Sequence, residues 1–318
     1  MSSVAELTVF FWNVRLRRKN KTTSIPGDVL VCIWSYVLDY KVNLIILAEA
    51  TPDFAEMLLS SLNKGKEGPW RLQPLNPQIS PPLEQRGSTP SEKTFNLKEE
   101  QVSRAGVMLW HTDVGEVTKF SWDVDDPKLG IEWIYTHDEH LLPRGRILFL
   151  PDHQLLVAGV HLLSQFNNHP LRLYLESHDV GRAIRSTQGL FQHLLEGRSV
   201  GCLIIGDFNQ HPFELSIVKG FGSSHLDTSD QYYNPFAGLW GDKTESGQIK
   251  GTYYYRPDKY WWLLDYALCS LEVANRLDKS FLTEDYPKAI QPHFHPEGLW
   301  PSDHAPVMIR IHSPGSAN

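Results

Sequence analysis

Positive charge, cysteine and long apolar runs are all scarce in this 318-residue chain, and each scarcity excludes a class of protein. With 30 Lys and Arg against 37 Asp and Glu, the net charge is -7. No field spread over the whole surface draws in a polyanion, so any anion site must be local. The three cysteines, Cys32, Cys202 and Cys269, lie far apart with no CxxC pair. That speaks against a zinc cluster and a disulfide framework and fits a reducing compartment. The N-terminal stretch MSSVAELTVFFWNVR lacks the basic segment, apolar stretch and small-residue cleavage site of a secretory leader. No apolar run approaches the ~20 residues that span a bilayer. The expectation is a cytoplasmic protein with no stable membrane association. What the chain does have is an apolar fraction of 41%, ample for a packed core.

The chain opens with LTVFFWNV, a β-branched and aromatic run of strand length, and LIILAEA at 44–50 is another. Between them DVLVCIWSYVLDY repeats Val29, Ile33, Trp34, Val37 and Leu38 at helical spacing. Thr51 and Pro52 read as N-cap and first residue of a second helix through DFAEMLLSSL. Residues 73–104 are rich in Pro, Ser and charge and predict a flexible surface insertion. Five short strands follow in prospect: AGVMLW, GEVTKFSW, GIEWIYT, RGRILFL and QLLVAGVHL. Helical periodicity returns over 171–195, then come strands at GCLIIGD, GTYYY, WLLDYAL and APVMIRI. This succession predicts an α/β or α+β layered fold in a single domain, residues 1–318.

Several apolar strands end in polar groups that a purely structural design would avoid. FFWNV carries Asn13, LIILAEA Glu49, and HLLS His161. CLIIGDFN carries Asp207 and Asn209, WLLDYAL Asp265, and SDHAPV Asp303 and His304. Asp207 and Asn209, two residues apart, fall on one side of an extended backbone and can reach one point. Each residue alone has a plain reading as a turn former, a strand-end hydrogen bonder or a satisfied buried histidine. Together they pose an energetic problem: a buried carboxylate without a partner costs several kcal/mol, so the groups must satisfy one another, water or a cation.

In their order and local context, FFWNV, LAEA, HLLS, GDFN, LDYAL and SDHAPV resemble the endonuclease/exonuclease/phosphatase superfamily along nearly the whole chain. GDFN after an apolar strand and SDHAPV near the C-terminus are the specific pair. The resemblance implies a deoxyribonuclease I-like, four-layered α/β sandwich: two mixed β-sheets packed face to face, helices outside, and an active site at one edge. It further implies a phosphoesterase dependent on Mg²⁺ or Mn²⁺, metals that match a site of carboxylates and carboxamides without cysteine. By the same resemblance Glu49 is the principal metal ligand, assisted by Asn13 and Asp303. Asp207 orients or deprotonates the attacking water beside Asn209, His304 contacts the scissile phosphate with its ring held by Asp265, and His161 stabilises the phosphoryl oxygens or the leaving group. No second acidic partner for His161 stands out. The histidine in HLLS is closer to the deoxyribonuclease, sphingomyelinase and phosphatase branches than to the abasic-site enzymes.

Two local features bear on substrate. RLRRKNK at 15–21 puts Arg15, Arg17, Arg18, Lys19 and Lys21 directly after the Asn13 strand. GTYYYRPDKYWW interleaves Arg256 and Lys259 with aromatic residues that suit stacking against bases, or simply packing in a sheet. Arg15, Arg17 and Arg256 are the candidate substrate contacts. The expected substrate is DNA or RNA. The alternative is a phosphatase for a small phosphorylated metabolite, an inositol phosphate or a lipid headgroup.

Overall fold

A computed structural model describes residues 6–16, 26–65, 69–72, 107–115, 117–119, 145–165, 168–224, 232–237, 239, 251–255, 257, 259–293 and 301–315. In chain order the strands are β1 (Leu7–Asn13), β2 (Leu44–Ala48), β3 (Trp70–Leu72), β4 (Val107–His111), β5 (Thr118–Lys119), β6 (Gly145–Leu150) and β7 (Leu155–His161). They continue with β8 (Gly201–Asp207), β9 (Ser223–Ser224), β10 (Tyr232–Tyr233), β11 (Tyr253–Tyr255), β12 (Tyr260–Trp262), β13 (Asp265–Cys269) and β14 (Val307–Ile311). The helices are α1 (Pro26–Tyr40), α2 (Pro52–Lys64), α3 (Pro170–Leu194), α4 (Leu215–Phe221), α5 (Leu271–Ala274) and α6 (Tyr286–Ile290).

Two mixed sheets form the centre. One has the order β14-β1-β2-β4-β3 and the other β5-β6-β7-β8-β13-β10-β9, while β11 and β12 stand apart as a two-stranded hairpin. β1 runs parallel to β2 and β7 parallel to β8, with antiparallel pairings at β1/β14 and β8/β13. All seven residues of β1, β7 and β8 are buried, because each strand is covered on both faces. These strands therefore read as unbroken apolar runs rather than alternating ones.

The sheets meet closely at Gly159 on β7. A Cβ there would lie 2.7 Å from Ile46 Cγ2 and 2.9 Å from Met108 Cε, both on the facing sheet. Outside the first sheet, Tyr36 of α1 packs on Phe10 with ring centroids 5.1 Å apart. Outside the second, Phe191 of α3 stacks on Phe149 at 4.2 Å. Thr51 caps α2 as its sequence predicts, its hydroxyl accepting from Phe54 N at 3.2 Å with Pro52 in the first turn.

One expectation changes. WLLDYAL is two strands, β12 and β13, separated by buried Leu263 and Leu264, because the chain leaves the hairpin there to enter the large sheet. The strand expected at GEVTKFSW is present as Thr118–Lys119 among the described residues, and Phe120–Trp122 lie outside them. The expected insertion at 73–104 and the expected strand GIEWIYT lie outside the described residues. No helix among the described residues is long and apolar enough to cross a membrane.

Gly206 fixes how β8 delivers its last residue. A Cβ at this position would sit 2.0 Å from Val160 O, a backbone atom that cannot swing aside. Gly206→Ala is therefore expected to lower stability by at least about 2 kcal/mol, through separation of β7 from β8. A urea titration should show a reduced midpoint, whereas an unchanged midpoint would contradict the close approach.

Candidate active site

Strand register assembles the site. His161 ends β7 opposite Asp207, which ends β8, and Asp207 in turn lies opposite Asp265, which begins β13. One edge of the second sheet thus carries an imidazole and two carboxylates in a row. From the first sheet, Asn13 ends β1 and Glu49 follows β2 directly. Asn13 closes the gap between sheets, its Nδ2 donating to Asp207 Oδ2 at 2.9 Å.

The SDHAPV loop is clamped against this edge from both sides. Ser302 Oγ donates to Asn13 O at 2.8 Å and Trp12 Nε1 donates to His304 O at 2.8 Å. From the hairpin, Tyr254 N donates to Asp303 O at 2.9 Å, and Ala305 N donates to Thr252 O at 2.7 Å. So held, His304 Nδ1 lies 2.9 and 3.1 Å from the two oxygens of Asp265. The buried Thr252 hydroxyl accepts from Asp265 N at 2.8 Å and Leu264 N at 3.1 Å, fixing where β13 begins.

GDFN divides its work residue by residue. Gly206 permits the approach to β7, and Asp207 is 1% exposed at the site. Phe208 is the anchor, stacked on Tyr266 at 4.1 Å with 6° between ring planes. Asn209 does not reach the site by strand alternation, as its spacing predicted. The strand stops at Asp207, and Asn209 turns left-handed with φ 53°, a conformation asparagine tolerates. Its main-chain N–H donates to Asp207 Oδ1 at 2.8 Å and its Nδ2 to Leu162 O at 3.0 Å. Glu49 also has positive φ, 53°, where glutamate gains no such compensation.

His161 Nε2 lies 3.8 Å from both Glu49 Oε1 and Asp207 Oδ2, too far for a hydrogen bond. Its Nδ1 is buried and has no hydrogen-bond partner among the described residues. Arg15, expected as a substrate contact, forms an ion pair with Asp303. Asp303 Oδ1 remains buried without a hydrogen-bond partner. Arg17 and Arg256 lie outside the described residues. The structure thus brings Asn13, Arg15, Glu49, His161, Asp207, Asn209, Asp265, Asp303 and His304 to one end of the sandwich. Thr252 and Ser302 are site residues that sequence reading passed over, whereas Tyr253, one of the aromatic residues read as suited to stacking or sheet packing, has its ring centroid 4.7 Å from that of His304. A threonine before a strand or a serine in a loop carries no signal in sequence that its hydroxyl holds a site together.

Oxygen donors around Asn13, Glu49 and the unpartnered Asp303 Oδ1 fit a hard divalent cation. Asp207, Asp265 and His304 also offer ligand atoms within 4.8 Å of one another. A cation there would have to displace the His304 to Asp265 hydrogen bond, so the oxygen set suits it better.

Burial, and then the neighbouring Asp265 charge, push Asp207 up to about 6, against the pull of His304, His161 and Asn13. Burial likewise raises Asp265, with His304 opposing it. For His304, burial favours the neutral ring, but the Asp265 charge and hydrogen bond together with the Asp207 charge outweigh it, and the pKa rises.

The sign of the resulting pH dependence is definite. Between the ordinary 3.8 and about 6, folded Asp207 holds a proton that the unfolded chain has released, so stability falls as pH rises through this window. Two units correspond to roughly 3 kcal/mol. His304 acts in the same sense, its contribution being present at low pH and lost above its raised folded value. In chelator, the protein should lose more stability between pH 4 and 7 than Asp207→Asn, whose slope should be flatter whatever its midpoint. Parallel stability curves from chemical denaturation would contradict the burial of this carboxylate.

No protein-family model matches the chain, and no curated protein matches it significantly in sequence. Comparison of structures does find similar folds. The human Nocturnin catalytic domain, solved with bound sulfate, superposes with a TM-score of 0.53 at 15% identity, over 97% of this chain and 94% of that one. TDP2 from Caenorhabditis elegans gives 0.51 at 11% identity, over 97% of this chain and 75% of that one. Both are members of the endonuclease/exonuclease/phosphatase superfamily. With its two packed mixed sheets, outer helices and polar strand ends gathered at one edge, the chain has the deoxyribonuclease I-like α/β fold of that superfamily.

Proposed function

We propose that the chain is a divalent-metal-dependent phosphodiesterase that hydrolyses nucleic acid, DNA or RNA. One observation carries this reading: the side-by-side burial of Asp207 and Asp265 with His304 bound to Asp265, at the edge where Asn13 and Glu49 arrive from the other sheet. Two carboxylates buried together cost more than a structural role returns, and they gain a purpose when cation and phosphate enter.

Asn13, Glu49 and Asp303 would hold Mg²⁺ or Mn²⁺, which when bound supplies charge neutralisation at the phosphate. Asp207, deprotonated above its raised pKa, takes the proton of the attacking water as the new O–P bond forms. Each of its oxygens already accepts one hydrogen bond, from Asn13 or Asn209, and the pair fixes its plane. Asn209 is thereby a positioning residue. With Nδ1 bound to Asp265, His304 offers its Nε2 proton to a phosphoryl oxygen. His161 stabilises the phosphoryl oxygens or returns a proton to the leaving oxygen as the ester bond breaks. Freed from Asp303 by the cation, Arg15 would be available to the substrate backbone.

The test is hydrolysis by purified protein in Mg²⁺, Mn²⁺ or EDTA, with plasmid DNA, single-stranded DNA, RNA and a panel of phosphomonoesters. Cleavage of nucleic acid in metal alone is expected, with steep loss of affinity on adding salt. Phosphomonoesters cleaved while nucleic acids stay intact would reverse the assignment. Glu49→Gln and Asp207→Asn should each lower turnover roughly 100- to 10,000-fold while the protein remains folded, and calorimetry should show weakened Mn²⁺ binding for Glu49→Gln. Normal turnover in either variant would remove the mechanism.

A further inference from the structure

The hairpin β11–β12 places an aromatic side chain at every one of its six strand positions: Tyr253, Tyr254 and Tyr255 against Trp262, Trp261 and Tyr260. In the core such rings would be buried. Here none is fully buried, and Tyr260 is 53% exposed. The sequence left open whether they pack in a sheet, and they do not join either large sheet. An isolated two-stranded hairpin is marginal by itself. This one is tied to the catalytic loop through Tyr254 N to Asp303 O and Ala305 N to Thr252 O.

Alternation and register sort the rings. Tyr253, Tyr255, Tyr260 and Trp262 share one face, while the Tyr254 and Trp261 pair, 5.2 Å apart, occupies the other. The four-ring face begins at the site, where Tyr253 lies against His304 at 4.7 Å. It extends outward through Tyr255, 6.4 Å from Tyr253, and through Tyr260, 5.5 Å from Trp262. At its outer end is the exposed Lys259.

We infer that this face is a stacking platform that selects an unpaired nucleic-acid strand, seating its bases on Tyr255, Tyr260 and Trp262 while the adjoining phosphate meets His304. The inference rests on the phosphodiesterase reading and names its substrate class. Flat rings with polar edges match bases, whose π faces are open only when the strand is unpaired and whose identity matters little to stacking. No aliphatic side chain stands among the six positions, as an acyl chain would call for. Lys259 at the tip suits a phosphate backbone, and continuity with His304 leads the strand to the reacting centre.

The test compares four substrates: an unpaired oligonucleotide, the same strand in a duplex, an abasic strand of equal length and charge, and anionic lipid vesicles as a binding control. Fluorescence anisotropy in chelator reads strand affinity without turnover, and KM and kcat are measured in Mg²⁺. The wild-type protein should prefer the unpaired base-bearing strand in both. Removing rings with the Tyr255→Ala/Tyr260→Ala double variant should weaken binding and raise KM for that strand by roughly 5- to 150-fold per base unstacked, down to the abasic level. Values for the abasic strand should stay within about twofold, and Tyr255→Phe/Tyr260→Phe should retain wild-type behaviour. Equal affinity for base-bearing and abasic strands, unchanged values in the alanine variant, or a loss confined to vesicles would each overturn the platform. An equal loss on the abasic strand would instead make the hairpin a support for His304. Base-dependent binding with no cleavage of any strand would refute the phosphodiesterase reading and leave the platform standing.

Discussion

Everything at the polar edge depends on burying two carboxylates at the same level of adjacent strands. The register that sets Asp207 opposite Asp265 leaves no room to separate them, and both are essentially inaccessible to solvent. Surrounding groups answer that charge in layers: Asn13 and Asn209 donate to Asp207, Thr252 secures the start of β13, and His304 lies along Asp265. Even so, burial outweighs these partners, and Asp207 stays protonated well above the usual carboxylate range. Such a site is incomplete as a purely structural arrangement. Under the proposed function, a divalent cation and a phosphate would complete it, one as counter-charge and the other as its ligand.

Backbone strain is placed in the same region. Arg15, Glu49 and Asn209 all have φ near +50°, and all lie within two residues of the end of a strand that enters the site. For residues other than glycine and asparagine that conformation costs about 1 kcal/mol or more. It persists at Arg15 and Glu49 because the strand ends are locked past the regular ladder: Val14 N donates to Ala48 O and Leu16 N to Glu49 O, both at 3.1 Å. Each left-handed residue turns the chain abruptly at the sandwich edge, so that polar side chains stop there instead of continuing the sheet.

The fold class and the polar strand ends were legible because both depend on local patterns. Unbroken apolar runs marked β1, β2, β7 and β8, and Thr51–Pro52 marked the start of α2. The joint between β12 and β13 was not legible, since Leu263 and Leu264 are as apolar as the strands they separate. Nor was the way Asn209 meets Asp207. Strand alternation gave the right neighbours by the wrong geometry, because a turn residue and a strand residue look alike until the strand's last hydrogen bond is known. Thr252 and Ser302 stayed hidden for a different reason: their importance lies in one hydroxyl apiece, aimed at residues 13 and 289 positions away. Sequence spacing carries no trace of such contacts.

The two histidines at this edge are held by unequal supports. His304 is bound to a carboxylate through Nδ1, covered by Tyr253, and fastened through its main chain to Trp12 and Ser302. Its ring is fixed and its charged form favoured, which suits a donor that must stay aimed at a phosphoryl oxygen. His161 is held less closely: its Nε2 faces Glu49 and Asp207 at 3.8 Å, and its Nδ1 has no hydrogen-bond partner among the described residues. Among the described residues no hydrogen bond fixes the orientation of this ring. Under the proposed mechanism, the clamped imidazole of His304 is the element aimed at a phosphoryl oxygen, while His161 stands beside Glu49 and Asp207 with its ring free of such a clamp among the described residues.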